Sequence, residues 1–265
     1  MLNEQDTQAY LDRIHYQGPR TASLATLTAL HLAHLQHIPF ENLDISLGKK
    51  LDLSAHALMD KILVQRRGGF CYELNHAFAL LLATLGFDVS RIAARVFNGK
   101  DYGPDFDHML LQVRLENQTW IADVGFGDCF RAPLLLDGEG VHELGMHYQV
   151  QPDDGGLFVL MQGKDDGSTH PQYRFSLQAY AIDDFEAMCI YQQTSPDSHF
   201  TQKSICSIAT PHGRVSISNS KCIITDAGKR SVRSIHGEEE YRSLLLKHFG
   251  VNLAADTPVV KLMAR

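Results

Sequence analysis

Cys71 follows a pair of glycines in the run RRGGFCYELN (66–75), and it is the first residue in the chain whose surroundings suit covalent chemistry. From Leu74 onward apolar residues recur at 74, 77, 78, 81, 82 and 85, one face of a helix. Gly68 and Gly69 sit poorly inside that helix, so it is predicted to begin near Phe70–Cys71 and to stop at Gly86. A thiol in the first turn feels the positive end of the helix dipole, which lowers its pKa and enlarges its thiolate fraction. The glycines would let the backbone approach a substrate, and first-turn N–H groups could hold an oxyanion. Position alone also admits a structural cysteine, because free Cys is among the most buried residue types.

A nucleophilic thiol needs a base, and the base needs an orienting acid or amide. His108 opens the strand-like HMLLQVRL (108–115), and Asp123 lies in TWIADV (119–124), across a hairpin through Glu116, Asn117 and Gln118. A two-residue loop at Glu116–Asn117 puts 108 and 123 on one face as a diagonal pair, about 7–8 Å apart at the backbone. A three-residue loop puts them on opposite faces. His108 alone would fit a solvated strand end. Asp123 in apolar company is different, since an unpaired buried carboxylate is costly and calls for a partner.

Other chemical signals are thinner. His31, His34 and His37 repeat at three-residue steps, but no nearby carboxylate completes a metal site and a helix face accounts for them. There is no GxGxxG, no Walker A run and no GxSxG elbow. The GFG at 125–127 makes a backbone-accessible loop directly after the strand bearing Asp123. The five cysteines are odd in number and widely spaced with no CxxC, so neither a disulfide framework nor a zinc knuckle is expected.

Elements able to position Cys71, His108 and Asp123 can be read from patterning. Residues 6–15, 23–37 and 54–64 carry helical periodicity, with Ser23 and Ser54 as N-caps. Between the last two, IPFENLDISLGKKLDL reads as a loop broken by Pro39 and Gly48. Strand-like stretches follow at 89–97, 108–115, 119–124, 148–151, 157–162 and 173–182, and their even spacing suggests an antiparallel barrel or strongly bent sheet. From about residue 190, the strand-like SICSIAT, GRVSIS and KCIITD mix with one amphipathic helix at 238–250. Helices, then strands, then a mixture indicate an α+β fold in three parts.

Composition sets the outer bounds. A chain of 265 residues that is 44% hydrophobic can bury a real core, and 24 basic against 31 acidic residues give a formal charge of −7. That balance argues against a dedicated nucleic-acid partner without excluding a local anion site. An acidic N-terminal stretch and the lack of long apolar runs predict a reduced, soluble, cytoplasmic protein with no membrane partner.

Taken together, RRGGFCYELN (66–75), IPFENL (38–43), His108 at a strand start and DVGFG (123–127) resemble the arylamine N-acetyltransferases. The resemblance continues through SHFTQ (198–202) and GRVSISN (213–219), essentially the whole chain. It implies a helical bundle over 1–86 carrying the nucleophile, a β-barrel over 87–190 carrying His108 and Asp123, and an α/β lid over 191–265. Such a fold has a papain- and transglutaminase-like Cys-His-Asp core. The implied activity uses acetyl-CoA as cosubstrate and no metal, passes through an acetyl-cysteine, and acetylates a small aromatic amine or hydrazine. Phe40, Phe126 and Phe200 match the acceptor pocket of such enzymes, and Gly127 is the expected coenzyme A contact. Arg66, Arg67, Glu41, Asn42 and Glu73 are read as a paired polar network bracing the nucleophile's turn. A papain- or transglutaminase-like enzyme acting on peptides or glutamine shares the Cys–His–Asp order, but PFENL and DVGFG speak against it. A catalytically dead binding protein is disfavoured because all three residues are present.

Overall fold

In the computed structural model, which describes residues 1–264, the first two helices begin at side-chain caps. Asn3 accepts from the Asp6 N–H ahead of α1 (Glu4–Arg13), and Ser23 accepts from the Thr26 N–H ahead of α2 (Leu24–His37). The segment expected to be a loop contains β1 (Phe40–Glu41) and α3 (Leu43–Leu47), the latter closed by Gly48 at φ +72°. Tertiary hydrogen bonds explain the difference. Asn42 Nδ2 donates to the carbonyls of Phe200 and Lys203, and its Oδ1 accepts from the Ile205 N–H, so β1 is held as the edge of a distant sheet. Ser54 caps α4 (Ala55–Met59), which passes into a π-helical turn over Asp60–Val64. α5 (Cys71–Thr84) starts at Cys71, and Gly86 follows it at φ +87°.

Eight strands come next: β2 (Asp88–Val96), β3 (His108–Leu115), β4 (Gln118–Ala122), β5 (Leu134–Leu135), β6 (Val141–Glu143), β7 (Met146–Asp153), β8 (Leu157–Lys164) and β9 (Thr169–Tyr180). They pair in the order β5-β4-β3-β2-β9-β8-β7-β6, antiparallel throughout, and β5 comes back against β7 so that the sheet nearly closes into a barrel. The expected 173–182 strand therefore starts earlier and ends at Tyr180. Leu115 pairs with Gln118 around Glu116 and Asn117, both at positive φ (50° and 63°). This is the two-residue hairpin, and it settles the register that puts 108 and 123 on one face.

After the barrel come α6 (Glu186–Thr194) and α7 (His199–Gln202), then β10 (Ile205–Thr210), β11 (Gly213–Ser218), β12 (Lys221–Asp226) and β13 (Lys229–Ser234), and finally α8 (Gly237–Phe249) and α9 (Val260–Met263). β10–β13 form the second sheet, whose outer strand on one side is β1. Its apolar face packs Ile208, Val215 and Ile217 against Tyr241, Leu245 and Phe249 of α8.

β3 is the wall shared by two cores. Leu111 and Val113 pack with Leu27, Leu30, Leu74 and Phe78 of the helices, while Leu110 joins Ile92, Ile121, Tyr173 and Phe175 inside the barrel. A strand buried on both faces loses the simple alternation of a half-exposed one. His108 stands at its first position. All five cysteines are free and buried, and no helix among the described residues is long and apolar enough to cross a membrane.

Candidate active site

Phe70 precedes α5, and its N–H donates to Glu73 Oε2 at 3.1 Å, so the acid in the first turn closes the helix start around Cys71. The two preceding glycines have a different purpose from the expected approach to substrate. A Cβ on Gly68 would lie 1.8 Å from the Pro39 carbonyl oxygen, and one on Gly69 would lie 2.6 Å from Glu73 Cβ. They let the turn pack against β1 and its own helix. Gly125 has the same role on the other side, where a Cβ would come 2.8 Å from Cys71 Cα.

His108 Nε2 meets Asp123 Oδ2 at 2.7 Å, with the Asp123 side chain fully enclosed and the His108 ring nearly so. The Asp123 carboxylate also accepts from Asn75 Nδ2 (2.9 Å), the Gly125 N–H (2.9 Å) and the Tyr173 hydroxyl (3.1 Å). Burial works against its ionisation, but the neighbouring His108 and these hydrogen bonds hold the Asp123 carboxyl below the usual carboxylate range. Asn75, one helical turn beyond Cys71, donates further to the Met109 carbonyl and accepts from the Val124 N–H. It thereby ties the nucleophile's helix to β3 and to the turn that follows β4.

His31 takes part from α2. Its Nε2 accepts the Asp123 N–H at 3.1 Å and its Nδ1 lies 2.8 Å from the Arg131 carbonyl, which fixes the neutral tautomer with the proton on Nδ1. The ring stacks on Phe130. His37 Nδ1 bonds the Ala33 carbonyl and His34 Nδ1 bonds the Tyr10 hydroxyl, so the three histidines serve separate packing roles.

The Cys71 thiol is 2% exposed, and burial pushes its pKa well above the ordinary value, with Asp123 and Asp107 adding to the rise. Loss of hydration therefore opposes the lowering expected from the helix end. A thiolate here requires a compensating cation rather than a helix end alone.

Cys71 and His108 line one cavity of about 390 Å³ together with Phe40, Phe126 and Phe200. Phe126 stands edge-on to His108 at 5.1 Å, and Phe200 packs edge-on against Phe70 at 5.5 Å. Gly127 is at φ +96° with open space where a side chain would stand. The expected bracing network is partly redrawn. Arg67 pairs with Glu41 and Asp44, and Lys61 pairs with Asp44 and Glu73, whereas the Arg66 side chain is exposed and Asn42 bonds the 200–205 segment instead. Sequence reading missed Asn75, Tyr173, His31, Lys61 and Asp44. Asn75 had a signal, since its spacing from Cys71 puts both on one helix face.

Helices, a nearly closed antiparallel barrel and a second sheet around this Cys-His-Asp core define an acyltransferase fold, and residues 23–257 match the family model described as N-acetyltransferase. The human arylamine N-acetyltransferase 1 is 34% identical over 230 residues, 78% of this chain and 79% of the human protein. The arylamine N-acetyltransferase structure from Salmonella typhimurium superposes with a TM-score of 0.91 at 28% identity, covering 100% of both chains. The Mycobacterium marinum enzyme in complex with CoA gives 0.87 at 30% identity over 97% of each chain. The chain belongs to the arylamine N-acetyltransferase family, and it is an enzyme of the transferase class.

Proposed function

We propose that the protein transfers an acetyl group from acetyl-CoA to arylamines and arylhydrazines, and to the oxygen of arylhydroxylamines, by double displacement through acetyl-Cys71. The observation that carries this reading is the shared cavity, with Cys71 and His108 on its wall, Asp123 behind His108, and Phe40, Phe126 and Phe200 around them. Coenzyme A bound to the M. marinum relative supports acetyl-CoA as the donor.

His108 takes the Cys71 proton, and Asp123 stabilises the resulting imidazolium. The thiolate attacks the thioester carbonyl, and first-turn N–H groups of α5 face the oxyanion. The C–S bond to coenzyme A breaks, and the leaving thiolate recovers the proton from His108. In the second half the acceptor nitrogen attacks acetyl-Cys71. His108 removes the proton from nitrogen and returns it to the Cys71 sulfur as the amide departs. The aromatic lining keeps water from the thioester between the halves.

In this reading residues 1–86 supply the nucleophile, 87–190 the His–Asp pair and 191–265 the cover that brings Phe200, with Gly127 on the path of coenzyme A. Five free cysteines accord with a cytoplasmic location. Initial rates with acetyl-CoA and an aniline varied together test the mechanism. Parallel double-reciprocal lines are expected. Intersecting lines would mean that both substrates bind before any transfer, and would overturn the covalent route.

A further inference from the structure

The cavity carries a charge pattern that acetyl transfer does not itself require. Its lining holds two carboxylates, Asp107 and Asp197, and two imidazoles, His108 and His199, with no lysine or arginine among the described residues. Asp107 is fixed in that wall. Its Oδ1 accepts from Gln192 Nε2 at 2.8 Å, and its Oδ2 fills the space where a Cβ on Gly103 would lie, 2.5 Å away. Gln192 Oε1 accepts in turn from Ser198 Oγ at 2.5 Å, and Ser198 Oγ accepts from the Phe200 N–H at 3.2 Å. Gln192 and Ser198 are both buried, so the carboxylate is tied to the segment that carries Phe200. Asp197 is exposed at the rim.

A carboxylate held this way cannot swing aside for an incoming anion. In a partly desolvated cavity, like charges repel more strongly than in water, and salt screens them less. We propose that Asp107, assisted by Asp197, sets acceptor choice by charge: the cavity favours aromatic amines with neutral or cationic ring substituents and disfavours aryl carboxylates. The inference rests on the acetyl-transfer reading and deepens it by naming the acceptor class.

Three near-isosteric acceptors test it: para-aminobenzamidine, para-aminobenzamide and para-aminobenzoate, which are cationic, neutral and anionic. The carboxylate withdraws the least electron density of the three, so intrinsic amine nucleophilicity runs against the expected order. Protein is first loaded with acetyl-CoA, the acetyl group is confirmed by intact mass, and its single-turnover transfer to each amine is timed. Wild type should transfer to the benzoate roughly tenfold more slowly than to the benzamide, the scale of a like-charge contact in a partly solvated site. Asp107→Asn, whose amide oxygen still accepts from Gln192, should close most of that gap and slow the benzamidine relative to the benzamide. Asp197→Asn, at an exposed position, should narrow the gap less. A loaded wild type that prefers the benzoate, or a folded Asp107→Asn with the gap unchanged, overturns the charge selection alone. If Asp107→Asn does not fold, the wild-type series and Asp197→Asn decide. Protein that never loads overturns the acetyl-transfer reading, and this inference with it.

Discussion

Two buried clusters of charged and polar side chains share α5 and do different things. The first joins Glu41, Asp44, Lys61, Arg67 and Glu73, which pair at 2.7–3.1 Å. Against the cost of burial, the carboxylates hold Lys61 and Arg67 firmly protonated, and those cations hold Asp44 below the usual carboxylate range. The second joins His108, Asp123, Asn75, Tyr173 and His31, equally buried and as densely bonded. Only the second reaches the cavity, through His108 beside Cys71. Burial and pairing therefore do not distinguish a site from a brace. A thiol nucleophile on the same cavity wall as the paired histidine does, whereas the pocket that Arg67 lines holds no cysteine among the described residues.

The largest test of that contrast is Asp123→Asn, which should cut acetyl transfer by about 10³–10⁴ through loss of the oriented His108, as in other Cys/Ser–His–Asp systems. Its Tm should stay within a few degrees of wild type by calorimetry. A variant that loses Tm and keeps its rate would make Asp123 a brace. Arg67→Met should behave oppositely: leaving Glu41 uncompensated costs about 3–5 kcal/mol in urea unfolding. The fraction that remains folded should acetylate Cys71 at the wild-type rate. His108→Ala should slow iodoacetamide alkylation of Cys71 by about 10² near neutral pH. Because burial raises the thiol's pKa, the remaining reaction should need a higher pH, and unchanged alkylation would mean that His108 does not activate the thiol. The smallest effect concerns Asp44. Its folded pKa lies below the ordinary 3.8, so its stabilisation is present above that value and is lost as pH falls through the folded one. Asp44→Asn should destabilise the protein near neutral pH, and the difference from wild type should fade in acid. A constant difference across that range would remove Asp44 from the ionic brace.

Local signals carried the parts of this architecture that are local. Ser23 and Ser54 cap helices, and Gly86 follows α5, because caps and stops depend on neighbours a few residues away. The His108–Asp123 pair was legible up to one ambiguity, the hairpin length, which the positive φ of Glu116 and Asn117 resolves. What stayed hidden depends on distant chain. β1 exists because Asn42 is bonded from residues 200–205, and β13, the charged KRSVRS, is a strand because β12 pairs with it. α6 was missed as well: Glu186–Thr194 buries little beyond Cys189 and Gln192, too little to write a helical stripe. The family resemblance rests on residues that now have physical duties. In RRGGFCYELN, Arg67 and Glu73 bind the brace, the glycines clear Pro39 and Glu73, and Asn75 reaches Asp123. Tyr173 and His31 had no signal, since each acts on Asp123 from a remote element.

The central claim is that Cys71 carries the acetyl group between donor and acceptor. Incubation with acetyl-CoA alone, followed by intact-mass and peptide analysis, addresses it directly. The expected result is one acetyl group, on Cys71, discharged on adding an aniline and absent from Cys71→Ala. A wild type that stays unmodified while it turns over peptide or glutamine substrates, or a Cys71→Ala protein that still becomes acetylated and transfers, would contradict the account.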